Sequence, residues 1–199
     1  MNNSSKRAFG ALMVGGRSTR MGRDKASLEI EGMPLWRRQI DLLSSICDPV
    51  SVIAPQRPHW LPEEQAFVQD YPDARGPMAG LIAALEWAEA RGGSHVLVLA
   101  VDLPRMMSQV LQKLAGSCRP GQGLMPVTHS FFEPLCAVYP VGALPCFVES
   151  ALHGQWKLQG TINTLLAQGL LVTESLLPEE REMFFNLNSL EDLAVLNVL

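Results

Sequence analysis

Mostly apolar segments recur along the first half of the chain. Residues 8–14 and 95–101 are the longest of them, and residues 50–54 and 66–68 are shorter runs of the same kind. Runs without regular polar alternation are typical of strands that are buried on both faces. We therefore predict four strands, the third of which leads to Asp70.

The stretches between these strands carry apolar residues at helical spacing. Residues 34–47 and 77–91 repeat them every three or four positions, and the glycine pair at 92–93 is a common helix stop. A third helix is predicted at about 104–115. Strand and helix thus alternate, as they do in a parallel α/β sheet.

The second half of the chain continues this alternation less regularly. Strands are predicted at 124–127 and 135–139, and helices at about 142–152, at 161–168 and from about Ser189. Residues 175–182 are the best candidate for a linker, but they are too few to separate domains. The pattern predicts one α/β domain over residues 1–199 with a mostly parallel sheet.

The charge of the chain limits the classes of ligand. The 199 residues carry a formal net charge of −4, which argues against general binding to nucleic acid or to an anionic membrane. No segment approaches the roughly 20 apolar residues of a membrane span. Cys47, Cys118, Cys136 and Cys146 contain no C-x-x-C pair and fit reduced thiols, so we expect a cytoplasmic protein. A function in anion binding must therefore depend on a local positive site.

Such a site follows the first strand. Gly15 and Gly16 let the backbone turn sharply, so that its N–H groups can face phosphate oxygens. The next nine residues contain four cations, Arg17, Arg20, Arg23 and Lys25. A solvated basic turn is the alternative, but the buried strand and the glycine pair favour a triphosphate-binding loop over 15–25.

The ends of the predicted strands indicate where a ligand would bind. In open α/β sheets, ligands sit beyond the carboxyl ends of the strands. Here those ends are Gly15, Ala54, Asp70 and Asp102, and we expect them to converge on one cleft. A carboxylate at such an end can face the ligand, or it can cap the helix that follows. Both roles are open for Asp102.

The motifs resemble those of a known family. The loop at 15–25 is G-G-R-S-T-R-M-G-R-D-K, which is neither a Walker loop nor a dinucleotide fingerprint. It resembles the N-terminal signature of the molybdenum cofactor guanylyltransferases, which belong to the Rossmann-like nucleotidyltransferases. Further motifs agree over nearly the whole chain: P-L at 34–35, G-P-M-A-G at 76–80, D-L-P at 102–104, E-P-L at 133–135 and F-N-L-N-S-L-E-D-L at 185–193.

This resemblance implies a fold and a set of site residues. The fold would be Rossmann-like with three layers, α/β/α, a nucleotide half at about 8–104 and an acceptor half at about 105–199. Nucleotide contacts would fall on Met13, Val14, Gly15, Gly16, Lys25, Asp70 and Asp102. Asp102 would also hold Mg²⁺ and would act in catalysis with Arg20 and Lys25. Asn186 and Asn188 would lie on the acceptor side.

Several of these positions have a competing explanation. Asp73 could supply the contact that the resemblance gives to Asp70. Gly76 and Gly80 bracket a helix start whose N–H groups could meet a phosphate or a base edge, or they could allow close packing of helix on strand. Asn188 could instead cap the last helix.

The implied reaction is the transfer of GMP from GTP to the terminal phosphate of (molybdenum-)molybdopterin, with release of pyrophosphate. In this resemblance, G-P-x-x-G after the third strand favours GTP over CTP. The acceptor phosphate is already mostly dianionic at neutral pH, because its second pKa is about 6, so no general base is required. The implied partners are GTP and molybdopterin, and molybdoenzymes or other proteins of cofactor biosynthesis could receive the product.

Two kinds of rival function are left open. A cytidylyltransferase or a sugar-phosphate nucleotidyltransferase would use the same scaffold. A non-catalytic nucleotide-binding or cofactor-delivery protein would keep the fold, and two departures from the family pattern favour it: Val14 stands where a small residue is usual, and Ala54 where some members carry Asn. Lys25, Asp102 and the positive loop favour an enzyme, because a pure binding protein would not need all of them.

Overall fold

Ten strands lie in the residues that the structure, a computed structural model, describes, which are 8–15, 24–189, 191–192 and 194. They are β1 (Phe9–Met13), β2 (Glu29–Ile30), β3 (Met33–Pro34), β4 (Val50–Ala54), β5 (Phe67–Gln69), β6 (His95–Ala100), β7 (Gly123–Thr128), β8 (Phe131–Phe132), β9 (Cys136–Pro140) and β10 (Leu171–Ser175). Eight of them form one sheet in the order β10-β7-β9-β6-β1-β4-β5, with β8 paired to β7. β2 and β3 form a separate hairpin.

β1 lies inside the parallel part of the sheet. It pairs in parallel with both β4 and β6, and β5 continues the parallel part beyond β4. β9 runs antiparallel to β6 and to β7, whereas β10 is parallel to β7. The prediction of a mostly parallel sheet is therefore confirmed.

Six α-helices accompany the sheet in the described part of the chain. They are α1 (Leu35–Ser44), α2 (Pro77–Glu89), α3 (Ser108–Gly116), α4 (Leu144–Leu152), α5 (Leu158–Ala167) and α6 (Pro178–Arg181). Among the described residues, none of the helices is long and apolar enough to cross a membrane.

Alternate residues of the central strands enter two separate hydrophobic cores. Leu12 packs in one core with α1 and α3, whereas Ala11 and Met13 pack in a second core with α2, α4 and α5. β6 divides in the same way, with Leu97 on the first side and Val98 on the second. Burying a side chain of the size of Leu97 or Val98 contributes about 1.5–3 kcal/mol, so packing on both faces stabilises the sheet. The three layers, α/β/α, are thereby confirmed.

Some elements differ from the sequence prediction. β10 was not predicted, because its last three residues, Thr173, Glu174 and Ser175, are polar and interrupt the apolar pattern. The candidate linker at 175–182 contains α6, in which Glu180 accepts a hydrogen bond from Lys113 of α3 at 3.0 Å. α3 begins at Ser108 instead of 104, since Met107 has an extended backbone with φ −125° and ψ 152°.

The carboxyl ends of four parallel strands meet at one edge of the sheet. Just beyond β1, the Val14 N–H donates to the Ile53 carbonyl at 2.8 Å, and the Val101 N–H donates to the Met13 carbonyl at 3.1 Å. The Asp70 N–H donates to the Ala54 carbonyl at 3.0 Å. These hydrogen bonds extend the pairing past the strands, so the residues that follow β1, β4, β5 and β6 lie side by side.

Candidate nucleotide-binding site

A wide cleft opens beyond the carboxyl ends of β1, β4 and β6. It has a volume of about 810 Å³. Its walls are Val14 and Gly15, Asp24 and Lys25, residues 54–59, residues 101–102, and Asn188. The cleft therefore lies at the edge where the strand ends are predicted to converge.

A narrower cavity adjoins this cleft on the side of α2. It has a volume of about 210 Å³ and is lined by Met13, Asp70, Gly76 and Gly80, among others. Val14, Gly15 and Asp102 line both spaces. An elongated ligand could therefore extend from the narrow cavity into the wide cleft.

Lys25 is held at the wall of the wide cleft by a short 3₁₀ turn. This turn, Lys25–Ser27, is capped by Asp24, whose Oδ1 accepts a hydrogen bond from the Ala26 N–H at 3.0 Å. The Lys25 Nζ donates to Asn188 Oδ1 at 3.0 Å and lies 3.9 Å from Asp102 Oδ2. The ammonium group thus connects the turn that follows β1 with Asn188, which is 163 positions later in the chain.

Asp102 occupies the turn after β6, where both cavities meet. Burial raises the pKa of its carboxyl above the usual range, and the Lys25 ammonium opposes part of that shift. The alternative role as a helix cap is wrong, because α3 begins six residues later with Met107 as its cap residue. The carboxylate therefore faces the cleft and does not cap a helix.

The two asparagines of the N-x-N motif have different surroundings. Both are exposed, on either side of the buried Leu187, whose N–H donates to the Asp102 carbonyl at 2.9 Å. Asn188 reaches Lys25, whereas the Asn186 amide donates to the Phe184 carbonyl at 3.3 Å and does not line either cavity. The structure thus places Asn188 in the wall of the wide cleft, whereas Asn186 lies near the cleft but outside it.

The side chain of Asn188 is not a helix cap. Ser189 Oγ accepts from the Asp192 N–H at 3.1 Å, and Asp192 Oδ2 accepts from the Ser189 N–H at 2.8 Å. This reciprocal pair fits a helix that begins near Ser189, as predicted. Asp192 also accepts from the Asn188 N–H at 2.7 Å, which leaves the Asn188 amide for Lys25.

Asp70 points into the narrow cavity. Burial raises the pKa of its carboxyl to about 6. Within the described residues, no side chain or backbone group donates a hydrogen bond to that carboxylate. Asp73, the alternative, is exposed and lines neither cavity. Of these two residues, Asp70 is therefore the one whose carboxylate can reach a ligand in this cavity.

The glycines at the start of α2 shape the same cavity. Gly76 has φ 58° and ψ −146°, a conformation that is nearly restricted to glycine. A Cβ atom at Gly80 would overlap the end of the Met13 side chain and would lie 3.4 Å from Asp70 Oδ1. Close packing of helix on strand therefore explains Gly80, and the N-terminus of α2 also borders the cavity.

Part of the predicted triphosphate loop is outside the described residues. Gly16 and Arg20 fall there, together with Arg17 and Arg23. The two departures from the family pattern are described: Val14 lines both cavities, and Ala54 is buried in the wall of the wide cleft. Met13 lines the narrow cavity beside Gly80.

Sequence reasoning missed one wall of the wide cleft. Residues 55–59 contribute it, and His59, which showed no recognisable pattern in the sequence, is exposed there. The available signal was weak, since prolines at 55, 58 and 62 indicate only an irregular loop.

The donor atoms at the edge fit a metal that is shared with a substrate. In residues 8–15, 24–189, 191–192 and 194, no group of three or more His, Cys, Asp or Glu side chains could hold a metal ion. Mg²⁺, however, usually takes one or two carboxylates and completes its shell with phosphates and water. Asp102 alone is therefore a sufficient protein ligand for such an ion.

The fold and the site define a class of protein. A sheet edge that carries a cation, a carboxylate and two connected cavities suits a nucleotide with its phosphates. Comparison with known families agrees, because residues 10–168 match the MobA-like NTP transferase domain. The chain belongs to this family, and it is accordingly a nucleotidyltransferase.

Individual relatives cover nearly the full chain. A protein from Opitutus terrae, named "Probable molybdenum cofactor guanylyltransferase", is 36% identical over 195 residues and is aligned over 96% of each chain. A protein of the same name from Nostoc is 32% identical, over 93% of this chain and 88% of its own. The crystal structure of molybdopterin-guanine dinucleotide biosynthesis protein A from Archaeoglobus fulgidus has a TM-score of 0.74 at 24% identity, over 96% of this chain and 97% of its own. That structural likeness supports the fold.

Proposed function

We propose that this protein transfers GMP from GTP to the terminal phosphate of molybdopterin and releases pyrophosphate, a step of molybdenum cofactor biosynthesis. The observation that carries the proposal is the contact of Lys25 with Asn188 beside Asp102, where the two cavities join. The names of the relatives from Opitutus terrae and Nostoc support the choice of acceptor and nucleotide.

The two cavities suggest how the substrates are arranged. The guanine base would enter the narrow cavity, the triphosphate would pass Gly15 towards Lys25, and molybdopterin would occupy the wide cleft. In this proposal, residues of about 8–104 bind the nucleotide, and residues of about 105–199 bind the acceptor within one domain. Asn188 then marks the boundary between the two substrates.

The Asp70 carboxylate supports guanine over cytosine. Guanine offers two adjacent donors, its N1–H and its exocyclic amino group, which match the two oxygens of a carboxylate. Cytosine places an acceptor nitrogen beside its amino group, and that nitrogen would face the carboxylate unfavourably. Because Asp70 lines the cavity without a donor from the described residues, guanine would supply its missing hydrogen bonds.

The residues of the site can support transfer without a general base. The acceptor phosphate is mostly dianionic at neutral pH, so the protein has to align it with the α-phosphate and reduce the repulsion between the anions. The Lys25 ammonium has three donors, so it can keep Asn188 and still bind phosphate oxygens. Proteins of this family generally use a divalent metal. When bound by Asp102 and the phosphates, Mg²⁺ would supply further charge neutralisation.

Asp102→Asn tests the metal assignment. The amide keeps the size of the side chain but removes the charge that attracts a cation, so we expect transfer to fall by about 100-fold or more. The Mg²⁺ concentration for half-maximal rate should also rise. An unchanged dependence of rate on Mg²⁺ would show that another group holds the ion.

The base preference is tested by pyrophosphate release. The protein is incubated with Mg²⁺, molybdopterin and either GTP or CTP, and the acceptor is left out in a control. We expect release with GTP that depends on the acceptor. Release with CTP alone would identify a cytidylyltransferase, and release with neither nucleotide would contradict an enzymatic role.

We also place the protein in the cytoplasm. Cys118, Cys136 and Cys146 are thiols, and burial raises the pKa of Cys118 to about 11. Free cysteines are typical of a reducing compartment, because disulfides form mainly in oxidising ones.

A further inference from the structure

The wall of the wide cleft is fixed although it has neither helix nor strand. We call residues 55–61 the wall segment. The Arg57 guanidinium donates to the carbonyls of Pro62 at 2.6 Å, Glu63 at 3.1 Å and Gln65 at 3.2 Å. The Gln69 amide donates to the Pro55 carbonyl at 3.0 Å. These contacts hold an irregular loop in one conformation, so the loop can position other groups.

Trp60, within the wall segment, connects it to two other parts of the protein. Its ring stacks on that of Trp36 in α1, with the centroids 5.0 Å apart and the planes 17° from parallel. Its Nε1–H donates to Asp24 Oδ2 at 2.6 Å. The stack sets the orientation of the indole, and the hydrogen bond transmits that orientation to the start of the Lys25 turn.

Asp24 uses each of its oxygens for a different neighbour. Oδ1 caps the turn by accepting from the Ala26 N–H at 3.0 Å, and Oδ2 accepts from Trp60. Lys25 lies between Asp24 and Ala26 in the chain, so the direction of its side chain depends on this cap. The path of contacts thus runs from Trp60 through Asp24 to Lys25, and on to Asn188 at 3.0 Å.

We infer that Trp60 is a positioning residue for nucleotidyl transfer: its indole N–H fixes Asp24 and thereby aligns the Lys25 ammonium with the triphosphate. This inference rests on the proposed function. Its physical basis is that a catalytic cation must be placed within a fraction of an ångström, and misplacement by about 1 Å can cost 100-fold in rate. Trp60 itself touches neither substrate in this scheme.

Trp60→Phe separates the hydrogen bond from the stack. Phenylalanine can still stack on Trp36 but has no donor for Asp24, so we expect kcat to fall about tenfold or more, with KM for molybdopterin unchanged. Trp36→Phe is the matched control, because a phenylalanine ring at that position can still stack on Trp60 and the Trp60–Asp24 hydrogen bond is kept. We expect its kcat to stay close to wild type. Equal kcat values in the two variants would overturn the inference.

A double-mutant cycle tests whether Trp60 acts through Asp24. Asp24→Asn can keep one acceptor for the Ala26 N–H, but its NH₂ group would face the indole donor. We expect kcat of the double variant, Asp24→Asn with Trp60→Phe, to be no lower than that of Asp24→Asn alone. Either substitution breaks the same Trp60–Asp24 hydrogen bond, so the second one has nothing further to remove. Losses of kcat that multiply in the double variant would contradict the inference.

The indole resonances give a readout that does not depend on turnover. The chain has four tryptophans, so the Nε1–H signal of Trp60 can be assigned from its loss in Trp60→Phe. We expect that signal to move in Asp24→Asn, and to move in the wild-type protein on addition of GTP. A Trp60 signal unaffected by Asp24→Asn would refute the contact.

A wrong function and a wrong role for Trp60 would give different results. If the proposed function is wrong but the site binds triphosphate, GTP still moves the Trp60 signal while pyrophosphate is not released. If only the inference is wrong, the wild-type protein releases pyrophosphate and the Trp60 and Trp36 variants match each other.

Discussion

At the scale of single residues, the site depends on polar groups that come from distant parts of the chain. Lys25 and Asn188 are 163 positions apart, yet their side chains are joined by a 3.0 Å hydrogen bond. Asp102, 3.9 Å from the same ammonium, comes from a third segment. The folded sheet edge therefore creates the charge arrangement, and each group can be removed without disturbing the hydrophobic cores.

Lys25→Ala should remove most of the catalytic rate and leave the fold intact. The side chain is partly exposed and contacts polar groups, so its loss should reduce kcat by about 100- to 1,000-fold with little change in stability. Steady-state kinetics and circular dichroism measure the two effects. Lys113→Ala is the matched control, since Lys113 pairs with Glu174 and Glu180 outside both cavities. A Lys25→Ala enzyme as active as Lys113→Ala would remove Lys25 from the mechanism.

Asp70 should make stability depend on pH. Its folded pKa of about 6 lies above the ordinary value of 3.8, so between these values the folded state keeps a proton that the unfolded state has lost. Relative to Asp70→Asn, the wild-type free energy of unfolding should therefore fall as pH rises from about 4 to about 6. Allowing for partial solvent access, we expect a loss of about 1–2 kcal/mol.

Urea denaturation of both proteins at several pH values between 4 and 7 measures this difference. Towards pH 7 the difference should level off, because Asp70 is then largely ionised in both states. A wild-type protein that gains stability relative to Asp70→Asn over this interval would show that the carboxylate already has a favourable partner, and that guanine is not needed to satisfy it.

At the scale of elements, local patterns predict the strands well and the loops poorly. The predicted strand at 50–54 has the same bounds as β4, because the apolar run that predicts the strand also marks where it begins and ends. β10 has no such run over its length, since Thr173, Glu174 and Ser175 are polar, and its structure depends on pairing with β7. The wall segment depends on contacts such as that between Trp60 and Asp24, 36 positions apart. No periodicity in the sequence encodes a contact of that kind.

The packing of α2 on β1 sets the size of the narrow cavity. In Gly80→Ala, the new methyl group would push the flexible end of Met13 into that space. The methionine can move, and alanine favours helix by about 1 kcal/mol, so stability should change by less than about 1 kcal/mol. GTP binding should weaken by about tenfold, which titration calorimetry can measure.

Gly160→Ala, in α5, is the control for that change. A Cβ atom at Gly160 meets nothing within 4 Å, so this variant gains helix propensity without crowding any side chain. We expect unchanged GTP affinity and slightly higher stability. If Gly80→Ala binds GTP as tightly as Gly160→Ala, the base does not occupy the narrow cavity.

At the scale of the whole molecule, the proposed function requires one sheet edge to bind two substrates. Asp102 lines both cavities, and Asn188, from the far end of the described residues, lines the wide cleft. The sequence motifs predict the class and the family of the protein, because the loop at 15–25 and the strand ends are short stretches that can be recognised without the structure. They could not predict how the cavities are joined, which depends on side-chain packing across the sheet, as between Met13 and Gly80.

The fate of the α-phosphate of GTP shows whether a GMP group is joined to molybdopterin. The protein is incubated with Mg²⁺, molybdopterin and GTP labelled at the α-phosphate, and the products are separated by chromatography. We predict that the label appears in a product that contains molybdopterin, with an equal amount of pyrophosphate, for the wild type and Lys113→Ala but not for Lys25→Ala. Label that stays in GTP, or that is recovered only as free GMP or GDP, would contradict the account.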